Sequence, residues 1–406
     1  MRAGATTSAC SRGRSNARPT FPWRNLAEAD FDAAIERLHD EIPRLDDYEI
    51  LVAMRRIITL LGDGHANVFF PDDHKHAPAT LPVQFYLFEE GLYIIAATPE
   101  HRDLLGSRVL RFGGHAITEV IDVFTPTVPR DNDQWLKLKI PYLIRELPVV
   151  RALGLIPEDD EVTLAVLDPD GGERDVTLTA GENLSYDELY YSFPYPTGWE
   201  FFPNTVGSPL PRYIRNQAAY YWFEHIAEHD AVYFQFNRVR DSGAEPLSEF
   251  TERLFRFIDD HAVRKLIIDL RCNNGGNTLL EMPFLHRLIG SRINQRGRLF
   301  VIIGRRTFSA AQNFSTMIER HTAAIFAGEP TGSRPNFVGE TIPVFLPYSG
   351  IGVNVSDLYW QSSWPMDHRT WIAPMLYLPP TFAAYRENRD PALEAILSWR
   401  DHVPGM

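Results

Sequence analysis

Between residues 231 and 328, four short and predominantly apolar runs alternate with stretches of helical period, and few architectures accept that pattern. The runs fall at 232–236, 266–270, 299–303 and 324–327, and amphipathic segments at 246–261, 277–290 and 309–321 separate them. A strand without polar alternation has no face to give to water, so these runs predict a largely parallel sheet covered on both sides. The strand–helix–strand order makes the region an α/β layer and argues against a helical bundle or a β-sandwich.

Upstream the period changes twice. Over 24–62, Ala33, Ile35 and Leu38, then Ile50, Leu51, Met54, Ile57, Ile58 and Leu61, recur at helical spacing, with Pro43 dividing two helices. The second helix runs into Gly62-Asp63-Gly64-His65, a glycine-marked stop. Val83, Phe85 and Leu87 then alternate as in a strand, and Leu92 to Ile95 form a short apolar run. Closing strands are expected at 162–166 and 176–178 around Pro169-Asp170-Gly171-Gly172, with a helical insertion over 131–157. A late hairpin is expected at 341–346 and 351–355 about Tyr348-Ser349-Gly350. The 406 residues thus divide into a disordered tail (1–20), a helical N-terminal segment (21–78), a small β module (79–184), a connector rich in Pro, Tyr and Phe (185–230) and the α/β region (231–406).

Composition removes several functional classes. With 40 basic and 53 acidic residues the net charge is −13, which lacks the basic footprint that a nucleic-acid partner requires. Two cysteines, Cys10 and Cys272, are too few for a disulfide framework or an all-cysteine metal site. No run reaches the roughly eighteen apolar residues of a transmembrane helix. Residues 1–20 carry Arg2, Arg12, Arg14 and Arg18 without an apolar core, and do not read as a secretory signal. Of the 40 basic residues, only Lys75, Lys137, Lys139 and Lys265 are lysines.

Three strand-to-helix junctions in the α/β region carry polar loops. Asp269-Leu270-Arg271-Cys272-Asn273-Asn274-Gly275-Gly276-Asn277 follows the second run, and its paired glycines free the backbone to aim N–H groups into a cleft. Thr307-Phe308-Ser309-Ala310-Ala311-Gln312 follows the third. Ser309 there is either a nucleophile favoured by the helix dipole or an ordinary N-cap. Gly328-Glu329-Pro330-Thr331-Gly332-Ser333-Arg334 follows the fourth. All three lie at carboxyl ends of strands, where open α/β sheets bind their ligands.

In content and order these loops resemble the Asp-Leu-Arg-x-Asn-x-Gly-Gly, Ser-Ala-x-Glu and Gly-Glu-x-Thr motifs of the C-terminal processing (tail-specific) serine peptidases and their tricorn-like relatives, with Gln312 in place of the glutamate. Residues 106–113 likewise resemble the glycine-bounded apolar segment of a PDZ domain. The resemblance implies a helical N-terminal segment, a PDZ-like β domain and a crotonase/ClpP-like α/β catalytic domain. It also implies a serine-type endopeptidase that acts on peptide or protein substrates and needs no metal or organic cofactor; such enzymes usually work outside the cytoplasm, and the resemblance leaves the location of this chain open. Ser309 would be the nucleophile, and Ala310 with Gly275 or Gly276 would form the oxyanion hole.

The base departs from the tail-specific pattern. That branch places a lysine in the third loop, where this chain has Arg334, and a guanidinium with a pKa above about 12 cannot take the serine proton near neutrality. In the tricorn-like branch a histidine serves, which implies His65; an imidazole titrating near about 6.5 suits general-base work. The resemblance implies Asp367, in Trp364-Pro365-Met366-Asp367-His368, as the orienting acid, with Glu340 and Glu329 as alternatives, and leaves His321 and His368 as rivals to His65. Two other readings stand beside the peptidase. One is an inactive ligand- or peptide-binding member of the same fold. The other is a zinc metallopeptidase using His225 and His229 of His225-Ile226-Ala227-Glu228-His229, which would share a helical face. On the serine-peptidase reading this last segment is a solvated helix end.

Overall fold

The computed structural model describes residues 26–71, 74, 79–157, 160–181 and 196–400. The expected tail at 1–20, residues 182–184 of the expected β module and connector residues 185–195 lie outside the described residues.

Helices α1 (Glu28–Glu41) and α2 (Asp47–Thr59) form on either side of Pro43, which sits in a 3-10 turn. Asp46 starts α2 through a reciprocal cap: its carboxylate accepts the Tyr48 and Glu49 amides, and the Glu49 carboxylate accepts its own N–H. The chain leaves α2 through the Gly62–His65 loop into a strand the sequence did not announce, β1 (Asn67–Phe69). Three residues are too few to show a period.

The next region builds an antiparallel sheet from β2 (Val83–Phe88), β3 (Gly91–Ala97) and β4 (Arg108–Phe112), then, after α3 (Ile117–Phe124), α4 (Asp133–Leu143) and α5 (Leu147–Ala152), from β5 (Glu161–Leu167) and β6 (Glu173–Thr179). Strand order is β2-β3-β4-β5-β6, so β2 is an edge. Its inner face shares one core with α2 and the insertion, in which Val83, Phe85, Val109 and Leu164 meet Leu51, Ile58, Leu147 and Val150.

The mixed sheet contains β7 (Tyr221–Ile226), β8 (Ala231–Phe236), β9 (Lys265–Asp269), β10 (Leu299–Ile303), β11 (Ile325–Gly328) and the short β14 (Leu376–Tyr377). Strands β8 to β11 are parallel and adjacent in chain order. Right-handed crossovers between sequential strands send every connecting helix to one face. Accordingly α6 (Leu247–Asp260), α7 (Met282–Ile289) and α8 (Ala310–His321) pack together on Val232, Phe234, Ile268 and Val301 through Phe250, Leu254, Phe284 and Phe314. The opposite face, with Tyr233, Ile267, Phe300 and Ile302, is covered by Ala392, Leu393 and Ile396 of α9 (Pro391–Ser398). Two long strands, β12 (Asn336–Phe345) and β13 (Gly352–Gln361), form the late hairpin, and β1 adds to β13 in register Asn67↔Asn354.

One expectation is corrected here. Residues 225–229 are not a helix: His225 lies on β7, paired opposite Val232, and His229 ends a 3-10 turn closed by Asp230 at φ +48°. Neither a shared helical zinc face nor a helix end exists there. Tyr221, Trp222 and Phe223 suit a strand, and the antiparallel register against β8 decided the conformation.

Candidate active site

Ser309 sits between β10 and α8 with φ +53° and ψ −124°, a region that side chains other than glycine rarely occupy. Its side chain caps nothing, so the N-cap reading does not describe this serine. Strain of this kind persists only where the surroundings over-determine it, and here they do. The buried Thr307 hydroxyl donates to the Leu270 carbonyl (2.9 Å) and accepts the Gly304 amide (3.0 Å). The Phe308 amide donates to the Asn273 carbonyl and the Gly332 amide to the Thr307 carbonyl.

The glycine pair meets Ser309 directly. A Cβ on Gly275 would stand 2.7 Å from the Ser309 Cβ and 2.8 Å from the Ala310 nitrogen; one on Gly276 would stand 2.1 Å from the Val239 carbonyl oxygen. Both glycines have positive φ. The Gly275 amide is already committed to Asn273 Oδ1 at 2.9 Å. The Gly276 and Ala310 amides have no hydrogen-bond acceptor among the described residues.

His65, 244 residues upstream of Ser309, packs against Phe308, the residue before it. Its own amide donates to Asp63 Oδ1 (2.8 Å), and the Gly64 amide donates to Asp131 Oδ1 (3.2 Å). The imidazole lies between Phe308, the residue before Ser309 (centroids 4.4 Å), and Phe337 of β12 (5.2 Å, interplanar 7°). Neither ring nitrogen has a hydrogen-bond partner among the described residues. Burial pulls its pKa down to about 4, with the Val338 backbone acting in the other direction, so the ring is neutral at pH 7.

The acids are placed less simply. Asp367 accepts from the Ser363 hydroxyl (2.6 Å) and from Arg369 (2.8 Å), whose guanidinium holds its carboxyl far below the usual range; it makes no contact with His65. Arg369 in turn grips Glu319 at 2.8 Å. Asn336 of β12 links to the Asp367 loop, its side-chain amide donating to the Trp364 carbonyl (2.7 Å) and the Asp367 carbonyl (3.5 Å). Glu329 is buried in a paired contact with Arg305, and Glu340 faces solvent at φ +59°. Asp63 is the one carboxylate within 4.0 Å of the His65 ring among the described residues, at 3.9 Å from Nδ1. Burial, reinforced by nearby Asp131, pushes its pKa up to about 6.

The rival bases lie elsewhere. His321 ends the 12-residue α8, about 18 Å along the helix from Ser309, and His368 is exposed. Lys265 donates to carbonyls at the end of α9. Arg334, standing at the lysine position of the tail-specific motif, donates to the Asp131 carbonyl (3.2 Å) and so braces the residue that holds Gly64. Lys139 lies over the Trp135 ring, and burial together with the Arg55 charge lowers its amine to about 8.

Two connections were not singled out in the sequence. Asp131 joins the histidine loop to the third motif, because its Oδ2 accepts the Ser333 hydroxyl (2.5 Å). Asn313, one turn into α8, donates to Thr278 (3.0 Å) and accepts from Ser362 (2.7 Å). The position of Asn313 four residues after Ser309 was the available signal.

Over most of its length this fold is similar to that of an S41 peptidase, CPAF. Within that class the chain aligns with mature CPAF at 13% identity and a TM-score of 0.61, covering 90% of this chain and 89% of that one. Mature CPAF complexed with lactacystin aligns at 12% identity and a TM-score of 0.63, over 98% and 97% of the two chains. The photosystem II D1 C-terminal processing protease aligns at 12% identity and a TM-score of 0.43, over 98% and 97%. At these identities the likeness is one of fold. No family model and no curated protein matches the sequence.

Proposed function

We propose that the protein is a serine-type peptidase that hydrolyses peptide or protein substrates, with Ser309 as nucleophile and His65 as general base. The observation that carries this reading is the strained Ser309 seated on Gly275, with the uncommitted Ala310 amide next to it and a neutral histidine packed against the preceding residue. Ser309 Oγ attacks the scissile carbonyl carbon as its proton passes to a ring nitrogen of His65. The oxyanion accepts from the Gly276 and Ala310 amides, since the Gly275 amide is occupied. When the C–N bond breaks, His65 returns the proton to the leaving amine; water then releases the acyl group by the same route. Asp63 orients the imidazole, and Asp367 fixes the loop behind β12.

The antiparallel sheet is read as a PDZ-like module that braces the site rather than one that adds a substrate strand. The β2 edge is partly sealed by the chain itself: Arg305 Nη1 donates to the Leu87 carbonyl (2.6 Å), and the Glu89 amide donates to the Pro380 carbonyl. This supports gating over peptide addition at 87–89.

The test uses a broad quenched-peptide library and a fluorophosphonate probe with wild type, Ser309→Ala and His65→Gln. Hydrolysis and labelling by wild type, both lost in Ser309→Ala, are expected. Hydrolysis that survives in Ser309→Ala overturns the reading. Peptide binding without turnover in wild type would favour a ligand carrier, and chelator-sensitive turnover would favour a metallopeptidase.

A further inference from the structure

His65 and Phe308 belong to a longer column of rings. Trp135, on α4 of the helical insertion, stacks on Phe308 with centroids 4.0 Å apart and 14° between planes. Phe308 meets His65, and His65 meets Phe337. The sequence Trp135–Phe308–His65–Phe337 therefore runs from the antiparallel module, past the residue bonded to Ser309, to the late hairpin. Trp135, Leu138 and Phe308 form a small core of their own, separate from both large ones. Trp135, Phe308 and Phe337 are at most 5% exposed.

The outer end of the column is fixed to the catalytic loops. Asn132 caps α4 by accepting the Gln134 and Trp135 amides, while its Nδ2 donates to the Thr331 carbonyl (3.1 Å) and the Thr370 carbonyl (2.6 Å). The indole also meets Gly332, where a Cβ would lie 3.1 Å from the ring and 2.2 Å from the Arg305 carbonyl oxygen. Trp135 is enclosed, at 3% exposure. A side chain that pins Phe308 pins the backbone of Ser309 and one face of the imidazole together.

We propose that Trp135 is a positioning residue for the Ser309–His65 pair, holding nucleophile and base in mutual register through the ring of Phe308. This rests on the peptidase reading above. It makes the helical insertion a working part of the active site, although none of its side chains touches the reacting atoms. The titratable groups nearest His65 are Asp63 on its own loop and Asp131, which accepts the Gly64 amide and is bonded by Arg334; Glu340, next to Gly339 on β12, faces solvent, and Lys139 lies over the indole. None belongs to the column, so a change at Trp135 alters the packing of the imidazole without removing a charge.

The experiment compares wild type, Trp135→Phe, Trp135→Leu and Trp135→Ala for kcat, KM, melting temperature and the His65 ring titration, followed by NMR of ring-labelled histidine and assigned with His65→Gln. A misplacement of about 1 Å costs on the order of a hundredfold, so Trp135→Ala should lose about ten- to a hundredfold in kcat with KM within about twofold. Its His65 midpoint should rise from about 4 toward the ordinary value. Trp135→Phe should restore most of both. Should Trp135→Ala not fold, Trp135→Leu, which keeps an apolar filling without a ring, carries the test. A folded variant without the ring that keeps wild-type kcat and an unmoved His65 midpoint overturns the proposal. Wild type that neither turns over nor labels at Ser309 overturns the peptidase reading instead, and the titration then still reports whether the column holds the imidazole.

Discussion

Gly275 lies against Ser309 so closely that a single added methyl would stand 2.7 Å from the serine Cβ and 2.8 Å from the amide of Ala310. Neither neighbour can give way: Ser309 is already at φ +53°, and Ala310 opens α8. Gly275→Ala should therefore displace the nucleophile and one oxyanion donor together. Loss of one such donor costs about 10²–10³ in kcat, so the variant should fall by at least that much while KM changes little. Steady-state kinetics with a circular-dichroism check of folding decides it. A folded Gly275→Ala enzyme within tenfold of wild type would contradict the arrangement, since about tenfold is only 1.4 kcal/mol of barrier.

The base can be identified by its pH limb. His65 is held near 4 by burial, whereas Lys139 is lowered only to about 8. A base must be deprotonated, so kcat/KM that depends on His65 stays high through pH 7 and falls as pH drops through about 4; dependence on Lys139 would make it fall below about 8. Measured from about pH 3.5 to about 9, wild type and Lys139→Met should share the low-pH limb. The same shift enters stability. The folded pKa of His65 lies below the unfolded value of about 6.5, so its contribution is full above 6.5 and lost as pH falls through about 4. Asp63, raised to about 6, acts in the opposite sense, contributing fully below the ordinary carboxylate pKa and losing that contribution as pH rises through about 6.

The orienting acid separates in a paired experiment. Asp63 Oδ1 is 3.9 Å from His65 Nδ1, while Asp367 spends its oxygens on Ser363 and Arg369. Asp63→Asn should cut kcat by one to several orders of magnitude, roughly as loss of an orienting carboxylate does elsewhere, with little change in melting temperature. Asp367→Asn should mainly lower the melting temperature through the broken Arg369 clamp. The reverse pattern would return Asp367 to the triad.

Much of this was legible in the residues. Predominantly apolar runs marked the parallel strands because burial on both faces leaves no room for a polar period, and β10 spans the expected residues (299–303). The three loops were visible because sharp strand-to-helix turns need glycine and small polar residues, whatever the rest of the chain does. What stayed hidden was set by partners far away in sequence. β7 is a strand because β8 lies beside it, not because 221–226 demands one. The anchoring of Gly64 by Asp131 spans 67 positions, and Asn132 reaches Thr370 across 238. No local period encodes such pairs.

The oxyanion loop is held from behind as well as by Ser309. Arg271, two residues before Asn273, forms paired bonds to Asp390 (2.9 Å each) and reaches Asp269 at 2.8 Å; Asp269 also accepts the Tyr233 hydroxyl at 2.7 Å. Asp390 is itself the cap of α9, accepting the Leu393 amide. One carboxylate therefore ties the last helix of the described chain to the strand end that carries Gly275 and Gly276. Removing one member of a buried ion pair costs about 3–5 kcal/mol because it strands the other charge. Asp390→Ala should accordingly lower the melting temperature clearly, and Asp390→Asn, which keeps a hydrogen-bonding oxygen for the cap, should lower it less. If the bridge also sets the glycine loop, both variants should lose kcat at temperatures where they remain folded, with Asp390→Ala the more affected. Unchanged kcat in the folded variants would reduce the network to a structural staple.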